Sequence, residues 1–232
     1  KFIPWLRGLR ELGTESLEFS GGGEPTLHPR FHEIIAEAFV MGYELGLITH
    51  ACGDMLHETL SKSMRYVRCG LDAATTETHD AIKRNKRKNY WFPKAIENIK
   101  ELVRQRDARE ARGRNTFAVG IKIVLNSINF TELAMMIELA RDLRVNYIQI
   151  KREHSSDHNL TEEQIWSAQT SIDIYSGENK DEFTQVKGTM SHARATTKCF
   201  MSPIHTVVTA TGKILQCCFF ESRPIGTIFQ PF

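Results

Sequence analysis

Short apolar segments of strand character alternate with longer amphipathic ones along most of this chain, and that alternation limits the folds open to it. Apolar residues at helical spacing run over 2–12 and stop at Gly13, and residues 16–20 (SLEFS) then read as a short strand. The order repeats: helix 29–41, strand 43–49, helix 55–63, strand 66–72, helix 76–83, helix 92–109, strand 117–125, helix 130–143, strand 146–151. Strands separated by helices imply βαβ units and a parallel sheet, with the loops after the strands forming the site. Beyond Lys151 the pattern changes. Residues 160–174 read as a helix, 177–198 as a polar stretch, and 204–219 as a hairpin turning at Ala210-Thr211-Gly212. A boundary near Thr197 divides the chain into 1–196 and 197–232.

Composition narrows the function classes. With 41% hydrophobic and 25% charged residues the chain is too apolar for disorder. Its 30 basic and 28 acidic residues leave a formal net charge of +2, so neither nucleic acid nor a membrane surface is expected as the main partner. No run of about 18 apolar residues offers a membrane span, and Arg7, Arg10 and Glu11 interrupt the opening stripe in a way unlike a signal peptide. The expectation is a cytoplasmic protein. Five cysteines, three of them near the C-terminus, do not form a secreted disulfide framework. Cys52 and Cys69 read as small buried hydrophobes, and the cluster Cys199, Cys217 and Cys218 as metal or redox chemistry.

Ser20-Gly21-Gly22-Gly23-Glu24-Pro25-Thr26 is the strongest local signal. Three glycines at a strand's C-terminal end let a ligand approach the backbone and expose its N–H and C=O groups. Glu24 adds a carboxylate able to accept from an ammonium group, and Pro25 fixes the chain before the next helix. The order matches neither GxGxxG nor GxxxxGK[ST], which disfavours a phosphate cradle. Taken alone, the segment reads as a plain glycine turn with a solvated glutamate.

Four segments in order change that balance. FSGGGEPTLHP (19–29), LITHACG (47–53), VRCGLDAATTETHDAIKR (67–84) and the stretch 120–151 together resemble the radical S-adenosylmethionine (radical SAM) enzymes. The resemblance implies an α/β fold, an incomplete (β/α)6 barrel with SAM held across the strand C-termini and a small C-terminal β-hairpin extension. It implies that Gly21, Gly22, Gly23 and Glu24 hold the methionine ammonium group, with Thr49, His50 and Asp72 near the ribose or cluster side. Arg84 falls where it can pair with the methionine carboxylate, or else belongs to the solvated basic run 83–88. Asn126 and Gln149, taken as the ends of their strands, would read ribose and adenine, although Asn126 also suits a helix cap and His50 an exposed loop position. Gly70 departs from the small hydroxyl residue usual at its position.

The resemblance further implies a [4Fe–4S] cluster on a CxxxCxxC loop, expected upstream of Lys1, whose open iron chelates SAM. Reductive cleavage would then give a 5′-deoxyadenosyl radical that abstracts hydrogen from a peptide or small-molecule substrate. Electrons would come from a flavodoxin- or ferredoxin-type donor. Lys151, Arg152 and His154 are candidate substrate contacts, while Lys122 and Lys151 are equally read as lysines snorkelling from strand ends. The spacing of Cys199, Gly212 and Cys217 resembles the start of a SPASM or twitch auxiliary-cluster segment, with Cys218 as the adjacent ligand; a hairpin with buried thiols is the alternative. The rival to a radical enzyme is a degenerate, cluster-free barrel serving as a binding or scaffold module. A Rossmann-type methyltransferase is disfavoured by the missing first-strand glycine loop.

Overall fold

The computed structural model describes residues 2–55, 57–83, 89–153, 157–177, 184–190, 205–218 and 222–229. Six parallel strands form one sheet in the order in which they occur: β1 (Ser16–Phe19), β2 (Glu44–Thr49), β3 (Met64–Gly70), β4 (Ala118–Leu125), β5 (Tyr147–Arg152) and β6 (Gln185–Thr189). The helices are α1 (Phe2–Glu11), α2 (Phe31–Val40), α3 (His57–Ser63), α4 (Thr76–Lys83), α5 (Trp91–Glu110), α6 (Leu133–Asp142) and α7 (Glu162–Gly177). Because every crossover leads to the next strand and such crossovers are right-handed, the helices gather on one face of the sheet. This is an open, single-wound partial barrel, as the resemblance implies.

Side-chain alternation matches that layout. One face of the strands contributes Leu45, Leu47, Val67, Cys69, Val119, Ile121, Ile123, Ile148 and Ile150, each at most 1% exposed. Against them the helices place Ile35, Ala38, Leu60, Ile99, Leu102, Ile137 and Ala140, all fully buried. Each large aliphatic residue removed from water contributes about 1.5–3 kcal/mol before conformational entropy is counted. The opposite face carries Glu18, Tyr66, Arg68, Lys122, Tyr147, Gln149 and Lys187, and none of these belongs to the apolar core. Two glycines open room for rings on that face. A Cβ at Gly46 would lie 2.3 Å from the Tyr66 ring, and one at Gly120 2.2 Å from that of Tyr147.

Two expectations are corrected. Residues 177–198 read as a polar stretch with no strand assigned to it, yet β6 lies within them and pairs with β5. Val186 is the one apolar residue of the strand that is buried, so no apolar run marks it. Gln149 is not at a strand end. It is the third residue of β5, in register with Lys122 and Lys187. The expected hairpin is present as β7 (Val207–Val208) and β8 (Lys213–Leu215), turning at Gly212 with φ +82, and β9 (Gly226–Thr227) adds a third antiparallel strand. Val208, Ile214 and Ile228 pack against the main core. Among the described residues no helix is long and apolar enough to cross a membrane.

At the strand N-termini, opposite the glycine loop, Arg106 of α5 is 1% exposed. Its Nη1 donates to the Arg144 carbonyl at 2.8 Å and to Asn146 Oδ1 at 2.9 Å, while Nε and Nη2 donate to Asp107. Asn146 Oδ1 also accepts from the Val119 N–H, so one guanidinium ties α5 to the start of both β4 and β5. Replacing it with Met leaves buried acceptors unpaired, at a cost of about 2–3 kcal/mol. For a chain of this size Arg106→Met is expected to lower Tm by roughly 5–10 °C in a calorimetric scan. An unchanged Tm would remove the guanidinium from the framework.

Candidate functional site

A cavity of about 260 Å³ opens at the C-terminal ends of β1 to β4, lined by Gly21, Gly23, Glu24, Ile48, Thr49, His50, Gly70, Asp72, Lys83, Lys122 and Val124. Sites of parallel α/β sheets form at this end, where successive loops converge. The glycines leave the backbone bare. A Cβ at Gly22 or Gly23 would meet nothing within 4 Å, and among the described residues the N–H and C=O groups of 21–23 have no hydrogen-bond partner. Gly21, at φ +157, takes a conformation that itself favours glycine, whereas at Gly22 and Gly23 neither packing nor conformation requires one and the backbone stays open to a ligand.

Glu24 serves as a strut. Its Oε1 accepts from the Thr26 N–H at 3.1 Å, the Thr26 hydroxyl at 2.7 Å and the Thr49 hydroxyl at 2.7 Å, and its Oε2 accepts from the His50 N–H at 2.7 Å. One carboxylate thus joins the loop after β1 to the end of β2. The His50 ring stays exposed, with Nδ1 3.8 Å from Glu24 Oε2. Beyond it Ala51 takes the left-handed conformation (φ 55). The buried amide of Asn98 donates to the carbonyls of Ala51 (2.7 Å) and Gly53 (2.8 Å), holding this loop on α5.

Asp72 lies two residues past the end of β3. Its Oδ1 accepts from the Val124 N–H at 2.8 Å and its Oδ2 from Lys83 Nζ at 2.6 Å. Asn129, fully buried, donates to the carbonyls of Asp72 (2.8 Å) and Val124 (3.0 Å) and accepts from the Asn126 N–H (2.8 Å). Glu132 completes the frame by accepting from the Ala74 N–H and the hydroxyls of Thr75 and Thr78, which fixes the start of α4 and hence Lys83. Burial opposes ionisation of Glu132, but the bonds from Thr78, Thr75 and the backbone outweigh it and hold the carboxyl below its ordinary value.

The sequence-predicted residues separate into three groups. Gly21, Gly23, Glu24, Thr49, His50 and Asp72 come together around the cavity, with Gly22 in the same loop. Asn126 and Gln149 do not line it. Asn126 Oδ1 accepts from the Ile128 N–H at 2.9 Å and caps the following turn, while Gln149 Oε1 accepts from Arg68 within the sheet face. Arg84, His154 and Cys199 lie outside the described residues. Cys217 is half-buried and Cys218 exposed, and among the described residues no three His, Cys, Asp or Glu side chains converge on a metal site. Cys69 is fully buried, as a small buried hydrophobe requires, whereas Cys52 is half-buried, its Sγ donating to the His50 carbonyl at 3.1 Å and desolvation pushing its thiol up to about 11. Sequence reasoning did not single out Lys83, Asn129 or Glu132. The Asn126-Ser-Ile-Asn129 run after an apolar strand was the available signal, being an Asx-turn composition.

No family model matches the chain. Over 128 residues it is 30% identical to the tungsten-containing aldehyde ferredoxin oxidoreductase cofactor-modifying protein of Pyrococcus furiosus, covering 54% of this chain and 33% of that protein. The chain thus spans about a third of the length of that curated relative. Among solved structures, Streptococcus suis SuiB bound to S-adenosylmethionine superposes with a TM-score of 0.72 at 12% identity, over 98% of this chain and 55% of that one. SuiB is also known bound to the precursor peptide SuiA. Native anSMEcpe, with bound AdoMet and the Cp18Cys peptide, superposes with a TM-score of 0.68 at 15% identity, over 99% of this chain and 68% of that one. At these identities the likeness is one of fold, and the fold is the partial barrel of the radical SAM enzymes.

The Glu132 frame has a measurable signature. Glu132→Gln weakens three charge-assisted bonds and is expected to destabilise the protein by about 1.5–3 kcal/mol at neutral pH. Since the folded carboxyl titrates below its ordinary value near 4.5, its contribution is full above that value and is lost as pH falls through the folded value. Urea midpoints of wild type and variant should therefore be well separated at pH 7 and converge toward pH 3. A separation independent of pH would show that the carboxylate charge carries none of the effect.

Proposed function

We propose that this chain is the core of a radical SAM oxidoreductase and that the cavity at the strand ends holds S-adenosylmethionine. The observation carrying this reading is the unpartnered backbone of Gly21–Gly23 facing Asp72, Lys83 and Lys122 across one cavity. The donor set suits a zwitterion: bare carbonyls accept from an ammonium, and Lys83 can meet a carboxylate. Asp72, already bound by Lys83, is placed toward the ribose side, beside Thr49 and His50. Arg84 retains its proposed place near the methionine carboxylate. The SAM and AdoMet bound in SuiB and anSMEcpe support the assignment.

Three upstream thiolates would hold the [4Fe–4S] cluster, which with bound SAM supplies a carbon-centred radical for hydrogen abstraction. The chain's own part is to bind, orient and shield. Glu24 and Asn98 fix the loops after β1 and β2, and Asn129 and Glu132 fix those after β3 and β4. A peptide substrate is the favoured class, because both SuiB and anSMEcpe are known with peptides bound, and a small molecule is the second. A flavodoxin- or ferredoxin-type donor in the cytoplasm completes the reading. In the segment 197–232, Cys199 and Cys217, with Cys218 alongside, are proposed as the first ligands of a SPASM-like auxiliary cluster.

The test uses the full-length protein, reconstituted anaerobically. SAM should bind, and reductant should yield 5′-deoxyadenosine. Gly23→Leu should weaken SAM binding at least tenfold with Tm nearly unchanged, because its side chain enters open space. Removing the upstream CxxxCxxC thiolates should abolish 5′-deoxyadenosine. Product that persists without them, or SAM affinity indifferent to Gly23→Leu, would overturn the reading and leave a binding module. Separately, iron per chain should fall in Cys199→Ser/Cys217→Ser; unchanged iron would remove the auxiliary cluster.

A further inference from the structure

The sheet face turned away from the helices is more cationic than a structural role explains. Arg68 on β3, Lys122 on β4, Lys151 on β5 and Lys187 on β6 share it with one carboxylate, Glu18 of β1. The strand registers fix this. Gly70 pairs with Lys122, Lys122 with Gln149, Gln149 with Lys187, and Val124 with Lys151. Four cations against one anion on a single face stand out in a chain whose formal net charge is +2. Like charges on adjacent strands destabilise a sheet unless something neutralises them.

The charges already accounted for are Glu18, Arg68 and Lys187. Arg68 Nη2 meets Glu18 Oε2 at 2.9 Å and its Nη1 donates to Gln149 at 2.9 Å. The Tyr66 hydroxyl also donates to Glu18. Lys187 sits over the Tyr147 ring, 5.5 Å from its centroid. Tyr66 and Tyr147 bring no negative charge, since burial foremost raises both phenols above their ordinary range. Lys122 and Lys151 are left, and among the described residues neither ammonium group has a hydrogen bond or ion pair. They also feel each other. Burial first, then the Lys151 charge, lowers the Lys122 ammonium from its ordinary value, against weaker support from Asp72 and Glu18.

Position gives these lysines a direction. The Tyr66 and Tyr147 rings, lying over Gly46 and Gly120, pave the face on the side of the strand N-termini. Lys122 and Lys151 stand beyond them toward the C-termini. Lys122 lines the cavity assigned to SAM and Lys151 does not, so the pair begins at that cavity and extends past it. We propose that the substrate carries an anionic group, a carboxylate or a phosphate, which seats between Lys122 and Lys151 above the tyrosine floor and beside the SAM cavity. This rests on the proposed function for the word substrate, while the anion seat itself rests on the charges alone. An anion there relieves the repulsion between the half-buried Lys122 ammonium and the exposed Lys151 ammonium, and a neutral analogue cannot.

The experiment measures binding to the full-length protein with defined probes: glutarate, its uncharged analogue glutaramide, and inorganic phosphate, with SAM titrated separately. Wild type should bind glutarate or phosphate at least tenfold more tightly than glutaramide. Lys122→Gln/Lys151→Gln should lose that preference tenfold or more, Lys122→Arg/Lys151→Arg should keep it within about threefold, and exposed Lys213→Gln should leave it unchanged. The Arg pair also guards against a folding failure in the Gln pair. A tighter glutarate assigns a carboxylate, and a tighter phosphate a phosphorylated substrate. The proposal is overturned if wild type does not discriminate against glutaramide, if Lys213→Gln matters equally, or if the Gln pair loses SAM in the same proportion, which would give both lysines to the SAM carboxylate. Lysine-dependent anion binding in a wild type that does not bind SAM would uphold the seat and overturn the radical SAM reading.

Discussion

A parallel sheet wound in one direction has helices on one face only, and most else in this molecule follows from that. In doubly wound sheets both faces are covered and both must be apolar. Here a single layer of Val, Ile and Leu side chains anchors the helices, and the other face is released from the demands of packing. It carries glycines, tyrosines and charges, residues that a helix packed above would exclude. The division also explains the burial of alternate residues along each strand, which in a sheet covered on both sides would read as a continuous apolar run.

A released face needs its rim held, because loops beyond the strand ends have no sheet ladder to order them. Buried carboxylates and amides supply that order. Glu24 spans the loops after β1 and β2, Asn98 pins the second of these, and Asn129 with Glu132 binds the ends of β3 and β4 to the start of α4. Each is almost saturated by protein donors or acceptors, as burial of a polar group requires. Saturation has a chemical consequence. These groups shape the rim, and what they leave unpaired around the cavity, among the described residues, is the glycine backbone and Lys122. Gly23→Leu and Glu132→Gln therefore probe different things, the first occupancy and the second framework.

Much of this was legible in the sequence. Five strands and all seven helices follow from apolar periodicity within a few residues, and the glycine loop, Thr49, His50 and Asp72 converge as their places after successive strands imply. What was not legible has physical causes. The edge strand β6 buries one apolar residue, Val186, so it carries no strand signature. Gln149 is internal to β5 on the bounds read from the sequence as well as on those observed, and position along a strand decides whether a side chain meets a ligand or a neighbouring strand. Asn126 was open between a ligand role and a cap; its Oδ1 accepts from the Ile128 N–H, as a cap does, and it does not line the cavity. Beyond the local Asx-turn composition around Asn129, Asn129 and Glu132 act through partners 54 to 58 residues away, and local pattern does not say which residues those are.

Glu24 is the instructive case among the residues that the sequence singles out. A lone carboxylate after three glycines invites assignment to a ligand's ammonium group. In the structure its two oxygens already accept from four protein donors, three at 2.7 Å. A further cation would have to compete with these bonds or share the remaining lone-pair directions. The neighbouring carbonyls of Gly21–Gly23 have no such competition, and the absence of side chains lets a ligand reach them. The same segment thus divides its labour: the glutamate sets the shape of the loop, and the glycines present it.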